Sequence, residues 1–309
     1  MHYWVYEIMR FLEIVEHIYA KSPLQKKRLS IYLAGRNPAF FQEADEFTTQ
    51  YGDFLKTRGI SIEYAVDAYL KMCGNMLRCQ IDFMRTGCYP VEFSDQANQA
   101  VYSSESEMLS YMVGLGISQF LWGTHYEMYS FFSAAIRERA SLLSSYLEIG
   151  PGHGLLLEKA LALGENLKEA VAVDISPTSL GLAQAIIAHS MPDRKNVRFV
   201  LGDILKTDLG RKFDFITMGE VLEHVNQPVT LLSKLKQMLA PEGRGFISTC
   251  ANCPAIDHVY QFDTVSQIRE LIVSSGLVIE KDLPLPVENI TVGEAENRRI
   301  TINYCALVR

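Results

Sequence analysis

A chain of 309 residues, 48% hydrophobic and 21% charged, has the make-up of an ordinary globular protein, and its length suits two modest domains better than one large one. Its formal net charge of -7 argues against a protein that grips nucleic-acid phosphates, because that affinity comes from clustered Lys and Arg. The short runs Lys26-Lys27-Arg28 and Arg298-Arg299 read as solvated surface. No window holds 18 uninterrupted apolar residues, and Glu7, Glu13 and Glu16 interrupt the N-terminal apolar stretch, so neither a membrane span nor a signal core is expected. The six cysteines (Cys73, Cys79, Cys88, Cys250, Cys253, Cys305) are few for this length, and free thiols in a reduced, cytoplasmic setting are the expectation.

From Met1 to about Ala140 the pattern is helical, with apolar residues at three- and four-residue spacing around Trp4–Tyr19, Pro38–Thr57, Ile62–Arg85 and Glu105–Arg137. Breaks fall at Lys21-Ser22-Pro23, at Arg36-Asn37-Pro38, around Gly59 and in Thr86-Gly87-Cys88-Tyr89-Pro90. About four or five helices are expected there.

After Ser145 short apolar runs alternate with helical stretches, the signature of β-α-β units feeding a largely parallel sheet. Strands are expected at Ser145–Ile149, Glu169–Asp174, Val197–Leu201, Phe213–Met218, Gly243–Cys250, Leu277–Leu283 and Arg299–Val308. Helices are expected at Gly154–Leu163, Ser179–His189, Pro228–Leu239 and Thr264–Ser275, the last closed by Gly276. The expected domains are therefore an all-α segment, 1–140, and an α/β segment, 141–309.

The segment Tyr146-Leu147-Glu148-Ile149-Gly150-Pro151-Gly152-His153-Gly154 runs from an apolar strand into a glycine-rich turn that opens a helix. Glycines let the backbone turn sharply and approach a nucleotide closely, while the helix N-terminus offers free N–H groups. The spacing Gly-x-Gly-x-Gly differs from the Gly-x-Gly-x-x-Gly of dinucleotide sites. Asp174 ends the next strand, 20 residues past Gly154, where a carboxylate can accept hydrogen bonds from both hydroxyls of a ribose. After the third strand, Asp203 and Ile204 suit the edge and face of adenine. The fourth strand leads into Gly219-Glu220-Val221-Leu222-Glu223-His224-Val225.

This set, over about residues 140–309, resembles the class I S-adenosylmethionine-dependent methyltransferases, particularly the branch acting on small molecules. The resemblance implies a Rossmann-like fold: a seven-stranded, mostly parallel sheet with an antiparallel last strand, preceded here by an N-terminal all-α cap. It implies that Glu148, Gly150, Gly152 and Gly154 form the cofactor loop, that Asp174 binds the ribose, and that Ile175 packs on adenine. Asp203 with Ile204 would fix the adenine edge, and Glu220 to His224 would line the floor beneath the sulfonium.

Methyl transfer to a protonated acceptor needs alignment and a proton acceptor, and ligands bind such folds at the C-terminal edge of the sheet. His258 is the first candidate base there, with His224, Asn252, Asp257 and Tyr260 beside it. The stretch Gln119 to Phe132 is aromatic on nearly every face and must be buried; in related enzymes such a segment caps the cofactor, which would bring Trp122, His125, Tyr126 or Tyr129 near the sulfonium. Tyr126 is the fourth catalytic candidate, after His258, His224 and Asp257. His153 is expected to shape the glycine loop or touch the cofactor. Cys250 and Cys253 form a Cys-x-x-Cys expected on a loop as free thiols, because a zinc site would want a second such pair; no metal is expected.

The expected function is methyl transfer from S-adenosylmethionine to a small molecule. Two rivals are an intramolecular cyclase of the azetidine-2-carboxylate synthase type, releasing methylthioadenosine, and a cofactor-binding protein without turnover. Neither nucleic acid nor membrane is an expected partner, and a homodimer is left open.

Overall fold

The computed structural model describes residues 10–90 and 104–309, so the expected start of the first helix at Trp4 lies outside the described residues. Among the described residues six helices precede the first strand: α1 (Phe11–Lys21), α2 (Pro23–Ala34), α3 (Pro38–Thr57), α4 (Ile62–Thr86), α5 (Glu105–Leu121) and α6 (Gly123–Arg139). The sequence signals act where they were expected. Ser22 and Asn37 cap α2 and α3, accepting from the backbone N–H of Gln25 and Phe40, each ahead of a proline at the first helical position. Gly87, with φ 76°, closes α4 in the left-handed conformation.

Two differences stand out in this half. The stretch Pro23–Ala34, given no helix by its apolar pattern, forms α2. The stretch Glu105–Arg137, expected as one helix, breaks at Trp122, which is extended (φ -117°, ψ 124°). There the indole Nε1 donates to Tyr69 Oη at 2.8 Å, and Gly123 starts α6 against Tyr32, where a Cβ would lie 3.0 Å from the ring.

The remaining chain alternates β1 (Ser145–Ile149), α7 (Leu155–Leu163), β2 (Glu169–Asp174), α8 (Pro177–Ser190), β3 (Val197–Leu201), β4 (Phe213–Gly219), α9 (Pro228–Met238), β5 (Leu239–Ala251), α10 (Val265–Ser274), β6 (Ile279–Pro286), α11 (Val292–Asn297) and β7 (Ile302–Val308). The strands form one sheet in the order β3-β2-β1-β4-β5-β7-β6. Neighbours among β1 to β5 pair parallel, and β7 runs antiparallel to both β5 and β6. The order reverses between β1 and β4, which is where an open sheet of this kind leaves a crevice at its C-terminal edge.

Three element boundaries differ from expectation for local reasons. β5 starts at Leu239 rather than Gly243, because a register irregularity lets Leu239 pair with Phe213 before regular pairing resumes at Arg244. β6 extends to Pro286 despite Pro284, which is tolerated because β6 is an edge strand. The expected final hairpin contains α11, nucleated by a capping box between Thr291 and Glu294.

Side chains alternate across β1: Tyr146 enters one apolar core and Leu147 the other. The first core is continuous from α1 through α6 into one face of the sheet; Phe132 of α6 packs edge-on against Phe246 and Phe215, with ring centroids 5.1 and 6.4 Å apart. The second core lies under α9 and α10 on the opposite face. Because Phe132 is fully buried where helices and sheet meet, Phe132→Ala is expected to destabilise the chain by about 3–5 kcal/mol. Urea unfolding followed by circular dichroism checks this; a loss below about 1 kcal/mol would show that the two halves are not packed through this residue.

Candidate active site

A cavity of about 2040 Å³ lies between the helices and the C-terminal edge of the sheet. Loops after β1, β2, β3, β4 and β5 all open into it, and Met112, Trp122, His125 and Tyr129 face them from α5, α6 and the break between.

The loop after β1 is shaped by glycine. Gly150, Gly152 and Gly154 have φ of 68°, 53° and 80°, a region that residues bearing a Cβ enter at a cost. A Cβ at Gly150 would lie 2.8 Å from Val221 Cγ2, and one at Gly154 would lie 2.8 Å from Ala183 Cα, so this backbone threads between the β4 loop and α8. At Gly152 the nearest neighbour is Met112 Sδ, 3.6 Å away, and the loop is open to the cavity on that side. His153 lines the cavity, and its Nδ1 accepts from the Leu155 N–H at 3.2 Å at the start of α7. Burial lowers its pKa to about 4, and burial beside it lowers that of His125 to about 3, so both rings are neutral.

Glu148 is buried and accepts a hydrogen bond from Tyr146 Oη at 2.5 Å; burial raises its pKa to about 8. Asp174 accepts the Ser176 N–H at 2.8 Å, and burial raises its pKa to about 6 against the pull of backbone N–H groups, that of Gly152 among them. Ile175 beside it is 56% exposed, an apolar side chain left open on the cavity wall. Asp203 accepts from the Leu205 N–H at 2.9 Å and pairs with Lys206 at 3.3 Å. Ile204 is nearly buried in the second core yet still reaches the cavity lining.

The loop after β4 is strained at Glu220, with φ 52°, held by its N–H donating to Ser248 O and Oγ at 3.0 and 3.1 Å. Burial, with Glu223 beside it, holds the Glu220 carboxyl well above the usual carboxylate range. His224 Nδ1 donates to the Asp257 carbonyl at 3.0 Å and lies 3.6 Å from Asp257 Oδ2. That bond fixes the tautomer and leaves Nε2 as the acceptor, and burial lowers the His224 pKa, so the ring is a neutral base.

Five further sequence candidates are placed as follows. His258 Nδ1 bonds the Cys253 carbonyl at 2.7 Å, and although burial pulls its pKa down, Cys253, Glu223 and Asp257 hold it at about 10. Tyr126 turns away from the cavity, its hydroxyl bonding Glu43 Oε2 at 3.0 Å and its ring packing edge-on against Phe40. Asn252, with φ 50°, spends its side-chain amide on the Asp263 carbonyl, and the Tyr260 ring packs at a tilt against Phe262, centroids 4.7 Å apart. Cys250 is the penultimate residue of β5, at its buried end, with Cys253 just beyond the strand.

Several residues at the site carried no recognisable signal in the sequence. Met112 reaches it through helix packing, Tyr69 anchors the cavity-lining Trp122 from behind, and Tyr89, after α4, accepts the Cys253 N–H at 2.7 Å, fastening the β5 loop to the helices.

Comparison with known proteins agrees with this architecture. Residues 147–244 match the family described as "Methyltransferase domain". The ubiquinone biosynthesis O-methyltransferase of Schizosaccharomyces pombe is 32% identical over 120 residues, 38% of this chain and 43% of that protein. The enzyme of the same name from Paraburkholderia phytofirmans is 33% identical over 105 residues, 33% of this chain and 43% of that protein. This chain thus spans less than half the length of the curated relatives it matches. The crystal structure of mitomycin 7-O-methyltransferase superposes with a TM-score of 0.53 at 14% identity, covering 80% of this chain and 70% of that one, a likeness of fold. The family match runs from within β1 to within β5 and so takes in the glycine loop, Asp174, Asp203 and the loop after β4.

Proposed function

We propose that this chain binds S-adenosylmethionine in the cavity and transfers its methyl group to a small molecule held beneath the cap formed by helices α1 to α6. The observation that carries the reading is the meeting of five strand-end loops and the cap around one cavity of about 2040 Å³. Ordinary ligand pockets measure about 300–1000 Å³, so this one has room for a nucleoside cofactor and a second molecule together.

The residues present fit the cofactor. The open side of Gly152 offers backbone without side chain, Asp174 offers a half-buried carboxylate on the cavity wall, and Ile175 offers an exposed apolar face. Asp174 would take the ribose hydroxyls, Ile175 and Ile204 the adenine faces, and Asp203 its amino edge; Glu148 and Glu220 support the loops around them. Bound there, S-adenosylmethionine supplies an electrophilic methyl group on a positive sulfur. Trp122, Tyr129 and the neutral His125 give the cap an aromatic, low-dielectric wall suited to that charge.

The chain's own chemical task is then proton removal from the acceptor and its alignment. His224, tautomer-fixed by Asp257, is the base, with Asp257 as its positioning partner. The relatives named O-methyltransferases favour a hydroxyl as the accepting group, which needs such a base. The net charge of -7 favours a small acceptor over a nucleic acid. Among the described residues no helix is long and apolar enough to cross a membrane, and the six thiols form no disulfide, which supports a cytoplasmic setting.

Two outcomes test the assignment. Because the Asp174 pKa is about 6, the carboxylate is lost as pH falls, and affinity for S-adenosylmethionine by isothermal titration calorimetry is expected to weaken about tenfold between pH 7.5 and 5. Asp174→Asn should bind weakly at every pH with that dependence removed; native-like affinity in the variant would remove Asp174 from the site. His224→Gln should keep cofactor affinity while kcat falls about 10²–10⁴-fold; an unchanged kcat would exclude it as the base.

A further inference from the structure

The floor of the cavity holds a cluster that methyl transfer does not require. Ligand atoms of Cys250, Cys253 and His258 lie within 4.8 Å of one another; the same holds for Glu223, His224 and His258, and for Glu220, Glu223 and Cys250. Glu223 and His258 therefore connect the thiols at the end of β5 to the loop after β4. We propose that Cys250, Cys253, His258 and Glu223 form a four-ligand site for a divalent, thiol-seeking cation, zinc foremost, that ties the β4 and β5 loops together.

Three observations carry this. The first is the ligand set. Two thiols, an imidazole and a carboxylate are the donors of tetrahedral zinc sites, and Cys-x-x-Cys followed closely by His258 has the short spacing such sites use. Donor atoms around a tetrahedral zinc lie about 3.3–3.8 Å apart; those of Cys250, Cys253 and His258 lie within 4.8 Å of one another, and that of Glu223 lies within 4.8 Å of Cys250 and of His258, gaps that small side-chain rotations close. The second is an open donor. Glu223 is fully buried; its Oε2 accepts the Thr249 hydroxyl at 2.7 Å, but Oε1 has no hydrogen-bond partner among the described residues. A buried carboxylate oxygen without a hydrogen-bond donor is costly unless a cation meets it, and the groups facing Glu223 are the imidazoles of His224, 4.0 Å away, and His258, both in the cluster itself, rather than a Lys or Arg. The third is support around the ligands. The His258 ring is fixed by its bond to the Cys253 carbonyl, the Cys253 N–H by Tyr89 Oη, and the Glu223 carbonyl by the N–H groups of Val259 and Tyr260. Outer hydrogen bonds of this kind hold the ligands of a metal site in place.

With four protein ligands the ion closes its own coordination and holds the cavity floor rigid. It takes no part in the methyl transfer proposed above, and the test needs neither S-adenosylmethionine nor an acceptor.

The full chain, reduced and freed of metal with a chelator, is titrated with Co²⁺ and then with Zn²⁺ against a chromophoric chelator. The expected result is one equivalent of Co²⁺ with the intense visible bands of tetrahedral, thiolate-bound cobalt, displaced by Zn²⁺. Cys253→Ser and Glu223→Gln should each weaken Zn²⁺ binding, the former by about 100-fold or more, while Cys88→Ser, at an exposed thiol outside the cluster, should match the parent. Glu223→Gln keeps three ligands and the shape of the side chain, so it reads the site even where the serine variant fails to fold. Failure of the reduced chain to bind, a weak octahedral cobalt spectrum, or equal binding by Cys253→Ser or Glu223→Gln and the parent would overturn the proposal. So would a Cys250–Cys253 disulfide whose reduction yields no metal binding.

Discussion

The backbone between β1 and α7 has to pass through a gap too narrow for side chains, and the rest of the site is arranged around that passage. At Gly150 and Gly154 any Cβ would collide with Val221 or with the backbone of α8, and all three glycines adopt positive φ. The same passage sets α8 against α7, brings the Gly152 N–H to Asp174, and fixes where the β4 loop can lie. The position is also the point where strand order reverses, so a site built there inherits a crevice from the sheet itself.

The helical half is joined to this frame by a shared core. α6 lies on the sheet through Phe132, while α5 reaches over the glycine loop through Met112. Trp122 stands at the break between them, its indole anchored to Tyr69 and its edge against His125, with centroids 4.7 Å apart. The cap is therefore fastened at both ends of the cavity: here, and at Tyr89, whose hydroxyl meets the β5 loop. Its aromatic wall and the buried carboxylates of the floor make two sides of opposite character, apolar above and polar below.

The first half of the sheet was readable because each of β1 to β4 is a short apolar run closed by a glycine or an aspartate, a local pattern that needs no tertiary information. Strand β1, the glycine turn and Asp174 could be placed from spacing alone. The break at Trp122 was not readable, since it comes from a hydrogen bond to Tyr69, 53 residues away in sequence, within an otherwise continuous helical pattern. For the same reason spacing alone does not separate His258 from His224 as a base. Both follow a strand, and only the folded chain shows that the first is tied to Cys253 and the second to Asp257. Cys250, Cys253 and Glu223 were all visible as residues, but their convergence depends on the parallel register of β4 and β5. Tyr126 illustrates the opposite error: an aromatic helix has several faces, and its hydroxyl belongs to Glu43 on the far side.

The most direct test of the account is the fate of the cofactor. The full chain is incubated with S-adenosylmethionine labelled in its methyl carbon, with and without a panel of small phenols, alcohols and amines, and the nucleoside products are separated and identified by mass spectrometry. The account predicts S-adenosylhomocysteine formed only with a suitable acceptor, and the label in that acceptor. Methylthioadenosine formed without any acceptor would contradict it.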